Sequence, residues 1–266
     1  MFEDIPETPY GMRKRIQFIY KVIEERIKDA ADKKKIKVLD IGCGTGELLT
    51  IPLGLLETTM LGIDTHLPSI EYANNKNVFE NVGFECTYID KLIGQQFDFI
   101  ICSEVLEHQA EPEKMLVSIK KLMKPDGVCI ITIPNGYGPK EMEIRLWNVL
   151  ERLGLTATLK FLKRLVMKII YKDTIATSKI KDSLATECSH IQFFTYRRFR
   201  RLLERSGLSI IEHQNRRFLS GPFSDEVLSR VETLTDWNVM IADKLPYFLV
   251  SSWMVVVTLD DRHNEQ

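Results

Sequence analysis

The feature that most constrains the fold is a glycine-rich turn that directly follows an apolar stretch. Residues 38–46 read VLDIGCGTG, with glycine at positions 42, 44 and 46. This pattern is typical of a buried strand that ends in a tight turn and leads into a helix. Glycine permits the sharp turn and lets a ligand approach the backbone with no side chain between. Because ligands bind at the carboxyl ends of strands in open α/β sheets, the turn predicts a binding site.

Apolar runs alternate with helix-compatible segments through the first half of the chain. The alternation requires crossover connections, and it predicts a mainly parallel sheet with helices on both faces. The expected strands cover residues 36–41, 60–63, 84–89, 97–102 and 128–133, and the expected helices cover 47–56, 68–79 and 111–123.

The alternation stops after the fifth expected strand. The pattern then predicts helices at 141–153, 158–172 and 196–206, a strand at 208–213, a helical stretch near 225–244 and a last strand within 245–259. We therefore expect one domain over residues 1–266, with an N-terminal helical segment at 1–32 and a helical insertion at 137–189.

The composition is that of an ordinary soluble globular protein. Hydrophobic residues make up 44% of the chain, charged residues 27%, and the net charge is −1. This balance does not favour a nucleic-acid partner, and no apolar run is long enough to span a bilayer. The five cysteines show neither disulfide-like pairing nor zinc-type spacing. We expect buried thiols, a cytoplasmic location and no metal site.

Two acidic residues define the chemistry of the expected ligand. Asp40 precedes the turn and suits a ligand with an ammonium group, whereas Asp64, 22 residues beyond Gly42, suits two ribose hydroxyls. A dinucleotide fingerprint needs glycine where this chain has Glu47, and that carboxylate would face a pyrophosphate unfavourably. The sequence also lacks the Gly-Lys-Ser/Thr of a phosphate-binding loop. S-Adenosylmethionine, a nucleoside with a cationic amino-acid end, fits both acids, and NAD does not.

The motifs together resemble the class I S-adenosylmethionine-dependent methyltransferases. VLDIGCGTG looks like their first motif, LGID like their ribose-binding segment, and FDFIICSEVLEHQAEP and LMKPDGVCIITIPN like the segments around their fourth and fifth strands. HIQFFTYRRFRRLLERSGL resembles the helix after the insertion in relatives of the ubiquinone-biosynthesis O-methyltransferases, in the methyltransferase type 11 group. The resemblance implies a Rossmann-like seven-stranded sheet whose last strand is antiparallel.

The resemblance also implies roles for individual residues. Positions in and before the turn would hold the methionine end of the cofactor, together with a serine after the fourth strand. Acids and a threonine after the second and third strands would hold the ribose and the adenine. The predicted cofactor-binding residues are Asp40, Gly42, Cys43 and Gly44 in the first group with Ser103, and Asp64, Thr65 and Asp90 in the second.

Two histidines are candidates for a catalytic base. An oxygen or nitrogen nucleophile needs a proton acceptor with a pKa near neutrality, and histidine is the usual choice. His108 follows the fourth expected strand, and His190 lies where the insertion returns to the core. Both have plain structural alternatives, namely a local hydrogen bond at a helix start and a contact that fixes the insertion.

The expected insertion carries a local excess of positive charge. Residues 139–181 contain ten Lys/Arg and four Asp/Glu, a net charge of +6, and residues 158–172 form a basic amphipathic pattern. A lid over the substrate, contact with an anionic membrane surface or a lipid-linked acceptor, and binding of an acidic substrate or RNA all fit this pattern. We expect methyl transfer to a small molecule, with oxygen favoured. RNA methylation and a non-catalytic cofactor-binding module remain as alternatives.

Overall fold

A computed structural model describes residues 2, 7–8, 11–154, 191–221, 224–228 and 232–260. Its strands are β1 Lys37–Ile41, β2 Thr59–Asp64, β3 Val82–Cys86, β4 Phe97–Ser103, β5 Met123–Pro134, β6 Leu208–Arg217 and β7 Ser252–Leu259. Its α-helices are α1 Met12–Ile27, α2 Thr50–Leu53, α3 Leu67–Lys76, α4 Pro112–Leu122, α5 Pro139–Arg152, α6 Tyr196–Arg205, α7 Ser224–Leu228 and α8 Glu232–Ala242.

The seven strands form one sheet in the order β3-β2-β1-β4-β5-β7-β6. Strands β1 to β5 pair in parallel, whereas β7 is antiparallel to both β5 and β6. The predicted Rossmann-like sheet with an antiparallel last strand is therefore confirmed. The strand order reverses between β1 and β4, and a ligand cleft is expected beyond the carboxyl ends of these two strands.

Helices cover both faces of the sheet, as the crossover connections require. On one face, α4 and α6 bury residues such as Leu116, Ile119 and Phe199 against the strands. On the other face, α1 buries Ile16, Ile19, Ile23 and Ile27, and α2 contributes Leu53. The apolar spacing of the N-terminal segment thus predicted a helix that exists and packs on the sheet.

Several element boundaries differ from those expected. The predicted helix 47–56 is reduced to α2 and the 3₁₀ turn Gly54–Leu56, because residues 47–49 still belong to the turn after the glycines. Strand β3 ends at Cys86, and a 3₁₀ turn occupies Ile89–Leu92. Strand β6 continues four residues past the expected end at His213. The predicted helical stretch near 225–244 is the pair α7 and α8.

The predicted insertion is described only at its start. Helix α5 confirms the helix expected at 141–153, while the segment 158–172 lies outside the described residues. No helix in the described part of the chain has the length and hydropathy needed to cross a membrane. Cys102 and Cys129 are buried free thiols, as expected, but Cys86 is exposed at the end of an edge strand.

Candidate active site

The glycine turn adopts the backbone conformation that its sequence predicts. Gly42, Gly44 and Gly46 all have positive φ, at 70°, 55° and 71°. A Cβ atom at Gly42 would lie 2.6 Å from Val105 Cγ2, and one at Gly46 would lie 2.6 Å from Phe84 Cζ. A Cβ atom at Gly44 would meet no heavy atom within 4 Å. Packing therefore explains Gly42 and Gly46, whereas Gly44 borders open space that a ligand can enter.

Asp64 links the end of β2 to the glycine turn. Its Oδ2 accepts a hydrogen bond from the Gly44 backbone N–H at 2.9 Å, and its Oδ1 accepts one from the His66 N–H at 2.9 Å. The turn is further tied to β2 because the Gly42 and Cys43 N–H groups donate to the Ile63 carbonyl. Each carboxylate oxygen keeps a lone pair for another donor. The half-buried Asp64 is thus fixed beside the open side of Gly44.

Asp40 is the last residue but one of β1, and only 2% of its surface is exposed. Thr50 Oγ1 donates a hydrogen bond to its Oδ2 at 2.6 Å, which ties the start of α2 to β1. Burial raises the pKa of Asp40 to about 7, although the Thr50 hydrogen bond and the nearby positive charge of Arg15 oppose the rise. Asp40 therefore changes charge near neutral pH, and a cationic ligand would favour its ionised form.

The residues predicted to meet the adenine follow β2 and β3. Thr65 is exposed, and its carbonyl accepts a weak hydrogen bond from Cys86 Sγ at 3.7 Å. Asp90 lies in the 3₁₀ turn after β3, and its Oδ1 accepts a hydrogen bond of 2.6 Å from Ser118 Oγ on α4. This bond fixes the carboxylate of Asp90 and leaves its second oxygen for another partner. Both adenine assignments remain predictions.

Ser103 joins the ends of β4 and β5 to the N-terminal helix. Its hydroxyl lies 2.9 Å from Thr132 Oγ1, and it accepts a hydrogen bond from Arg15 Nη1 at 3.3 Å. Arg15 is 7% exposed, and its buried Nε has no hydrogen-bond partner among the described residues. Burial lowers the pKa of Arg15 to about 10, so the guanidinium stays charged at neutral pH. A buried cation with a spare donor therefore lies beside the carboxyl end of β4.

A second buried arginine pairs with the residue after Ser103. Glu104 has a positive φ of 58°, and its Oε1 lies 3.0 Å from Arg216 Nη1 and accepts a 2.9 Å hydrogen bond from Thr132 Oγ1. Burial opposes ionisation of Glu104, but the positive charges of Arg216 and Arg15 outweigh it and lower its pKa to about 2. Glu104 is therefore ionised throughout the physiological pH range.

His108 and Glu107 lie together in the 3₁₀ turn Leu106–His108. His108 Nε2 is 3.9 Å from Glu107 Oε1, and neither carboxyl oxygen of the fully buried Glu107 has a hydrogen-bond partner in the described part of the chain. Burial, reinforced by the nearby charge of Glu104, raises the pKa of Glu107 well above its usual range. The carboxyl of Glu107 is therefore a further candidate to hold or move a proton, besides the two histidines. The segment before α6 holds this turn in place, because the backbone N–H groups of Ile191 and Gln192 donate hydrogen bonds to the Glu107 carbonyl.

The structure brings most of the predicted residues to one edge of the sheet. Asp64 and Ser103 end β2 and β4, Asp40 is the last residue but one of β1 between them, and the glycine turn and the turn of His108 lie beside them. His190 lies outside the described residues, and its assignment stays a prediction. Across the described ranges, no group of three or more His, Cys, Asp or Glu side chains is arranged to hold a metal ion.

Sequence reasoning did not single out Arg15, Glu104 or Arg216, and it gave Glu107 only the role of a charge at a helix N-terminus. A signal existed for Arg15, since it precedes Ile19 by four residues and so lies on the apolar face of α1. A charged residue on such a face needs a partner inside the protein. Arg216 carried no comparable signal, because the expected strand ended three residues before it.

Comparisons with known proteins agree with this geometry. A family model described as a methyltransferase domain matches residues 12–213. The ubiquinone biosynthesis O-methyltransferase of Coxiella burnetii is 32% identical over 133 residues, which cover 47% of this chain and 56% of that protein. The same enzyme of Dinoroseobacter shibae is 36% identical over 107 residues, covering 38% and 42%. The chain thus spans about half the length of the curated relatives it matches.

Solved structures share the fold at low sequence identity. The magnesium protoporphyrin IX methyltransferase from Synechocystis PCC 6803 with bound S-adenosylhomocysteine superimposes with a TM-score of 0.52 at 16% identity, covering 94% of this chain and 86% of that one. A [4+2]-cyclase has the same TM-score of 0.52 at 12% identity, covering 91% and 81%. The family match includes the glycine turn, Asp64 and the first five strands, and the chain belongs to the class I S-adenosylmethionine-dependent methyltransferases.

Proposed function

We propose that the protein transfers a methyl group from S-adenosylmethionine to an oxygen atom of a small-molecule acceptor. The observation that carries the proposal is the open space at Gly44 beside the carboxylate of Asp64, at the switch point of the sheet. The preference for oxygen rests on the curated relatives, which are named ubiquinone biosynthesis O-methyltransferases.

The residues around Gly44 fit the functional groups of this cofactor. Asp64 would accept hydrogen bonds from the ribose, and Thr65 and Asp90 would border the adenine. Asp40 would balance the ammonium group, while the spare Nε donor of Arg15 would bind the carboxylate of the methionine end. This pairing explains why two opposite charges are buried on the same side of the cleft, since each would gain a partner when the cofactor binds.

The bound cofactor supplies an activated methyl group, and the protein aligns the acceptor oxygen and takes its proton. His108 is the proposed base in the described part of the chain, and His190 is the second candidate. Glu107 would position His108 or receive the proton from it, because its buried carboxyl lies 3.9 Å away. The Glu104–Arg216 pair would keep the turn of His108 in place beneath the acceptor.

Helix α5 supports a lipid-linked acceptor or contact with an anionic membrane surface. Met142, Leu146, Val149 and Leu153 recur at helical spacing and are all more than half exposed. Helix α5 itself has no net charge, because three glutamates balance Lys140, Arg145 and Arg152, so the positive charge that would favour an anionic surface lies in the sequence that follows it. A helix of this kind would bring the cleft close to an acceptor held in a bilayer.

Methyl transfer from radiolabelled S-adenosylmethionine to a panel of catechols, phenols, carboxylic acids and RNA tests the proposal. We expect label in a phenolic or other hydroxyl acceptor, and no label with Asp64→Ala at subsaturating cofactor. Cofactor binding without transfer to any acceptor would favour a non-catalytic module. Labelling of RNA, with affinity that falls steeply with salt, would favour RNA methylation instead.

A further inference from the structure

A groove lined by arginines runs between α4 and α6, away from the cleft. Its volume is about 260 Å³, and its walls include Arg197, Arg198, Arg201 and Arg205 of α6 together with Phe194 and Glu113. The two helices lie side by side, since Gln192, ahead of α6, donates to the Ala110 carbonyl ahead of α4, and Lys120 reaches Gly207 at the other end. We call this feature the arginine groove.

The surface around the arginine groove is strongly positive in a nearly neutral protein. Helices α4 and α6 together contain eight Lys/Arg and two Glu, a net charge of +6, whereas the whole chain has a net charge of −1. Helix α6 alone contributes five arginines and one glutamate. Such a concentration of one sign attracts a partner of the opposite sign.

Some of the arginines of α6 already interact with other groups of the protein. Arg200 pairs with Glu204 at 2.8 Å and does not line the groove. Arg198 donates to the Phe193 carbonyl and to Gln192, and its guanidinium lies over the ring of Phe194.

Three arginines of the groove are available to a partner. In the described ranges, Arg197, Arg201 and Arg205 are exposed and take part in no hydrogen bond or ion pair. These three recur at every fourth position along α6, so they form one row on its surface.

We infer that the arginine groove binds an extended acidic segment of a partner protein. Residues four apart on a helix rise by about 6 Å, and alternate residues of an extended peptide lie about 7 Å apart. Carboxylates at every second position of such a segment therefore match the row of Arg197, Arg201 and Arg205. Guanidinium groups also bind carboxylates through two parallel hydrogen bonds.

The shape of the groove favours a peptide over the other polyanions. A flat bilayer does not reach into a concavity between two helices, and Phe194 and Leu202 at its base are buried, so no apolar side chain there is offered to lipid. Nucleic acid would gain from stacking on an exposed aromatic ring. Arg198 covers the ring of Phe194 in this groove, which leaves no such platform.

Fluorescence anisotropy with a labelled peptide of alternating aspartate and serine tests the inference. We expect binding at about 50 mM salt that weakens at about 200 mM salt, and no binding of the matching asparagine–serine peptide. Arg201→Gln should lower the affinity several-fold, and the triple substitution of Arg197, Arg201 and Arg205 by glutamine about ten-fold or more. Arg200→Gln is the matched control, because it removes the same charge from the same helix outside the groove.

The control variant decides the outcome. Loss of affinity in Arg201→Gln with no change in Arg200→Gln supports the inference. Equal losses in both variants would overturn it, because they would show attraction by net charge alone. Absence of peptide binding at low salt would also overturn it, as would tighter binding of oligouridine or of anionic vesicles through the same three arginines. None of these outcomes bears on the proposed methyl transfer.

Discussion

Two glycines of the same turn should respond differently to the same substitution. Gly44 and Gly46 both have positive φ, at 55° and 71°, so an alanine at either position adopts a strained left-handed conformation. A Cβ atom at Gly44 points into open space, whereas one at Gly46 would lie 2.6 Å from the ring of Phe84. The pair therefore separates a glycine kept for a ligand from a glycine kept for packing.

The expected magnitudes follow from strain and overlap. Left-handed strain costs about 1–2 kcal/mol for a residue with a Cβ atom, and this should be the whole loss of folding free energy in Gly44→Ala. Overlap with a packed ring adds about 1–3 kcal/mol, so Gly46→Ala should lose about 2–5 kcal/mol. If the cofactor occupies the space beside Gly44, the added methyl should weaken binding of S-adenosylhomocysteine by about ten-fold or more, which is about 1.4 kcal/mol.

Denaturant unfolding of both variants, with calorimetric titration of S-adenosylhomocysteine, measures these quantities. We expect Gly44→Ala to lose about ten-fold or more in affinity and Gly46→Ala to be the less stable of the two. Unchanged affinity in a folded Gly44→Ala variant would remove the ligand from this position. A larger stability loss in Gly44→Ala than in Gly46→Ala would show that the packing around the turn has been misread.

Three further predictions concern the buried charges of the candidate active site and its catalytic base. Arg15→Gln should weaken binding of S-adenosylhomocysteine about ten-fold. Binding of methylthioadenosine, which has no carboxylate, should hardly change. Equal losses of affinity for both ligands, measured by calorimetry, would exclude the proposed contact between Arg15 and the carboxylate. Because the pKa of Asp40 is raised to about 7, the carboxylate is neutral in acid, and affinity for S-adenosylmethionine should increase between about pH 6 and pH 8. Asp40→Asn should flatten that profile, and a profile identical to the wild type would assign the titration to another group. His190→Ala should reduce turnover more than cofactor affinity, and unchanged turnover on a true acceptor would leave His108 as the candidate base.

The central strands were predictable from sequence because they are largely buried on both faces. Runs such as residues 97–102 and 128–133 are mostly apolar, and both lie within strands, although β5 begins five residues before the expected run. The predicted strand ends were wrong where polar and apolar residues are mixed in the sequence. The segment Asn215–Arg217 of β6 is polar but buried, because its side chains bond to α8 and to the N-terminal segment rather than to apolar neighbours.

The cofactor-binding residues could also be predicted from sequence. The turn glycines and Asp64 are close in sequence and follow two adjacent strands, so their spacing alone predicted that they meet, and the bond between Asp64 and the Gly44 N–H shows that they do. Arg15 reaches Ser103 across 88 residues, and Arg216 reaches the Gly11 carbonyl across 205 residues. Contacts of that range depend on how α1 and β6 pack on the finished sheet, and no local pattern encodes them.

Strand β7 is the last strand in the described part of the chain, yet it lies between β5 and β6, and Trp253 to Val257 are fully buried there. During synthesis, the segment with the glycine turn therefore leaves the ribosome long before the strand that closes the other half of the sheet. A nascent chain that stalls before residue 252 would expose the unpaired edges of two long strands at once. Such edges readily pair with other chains, so termination before β7 should produce aggregates.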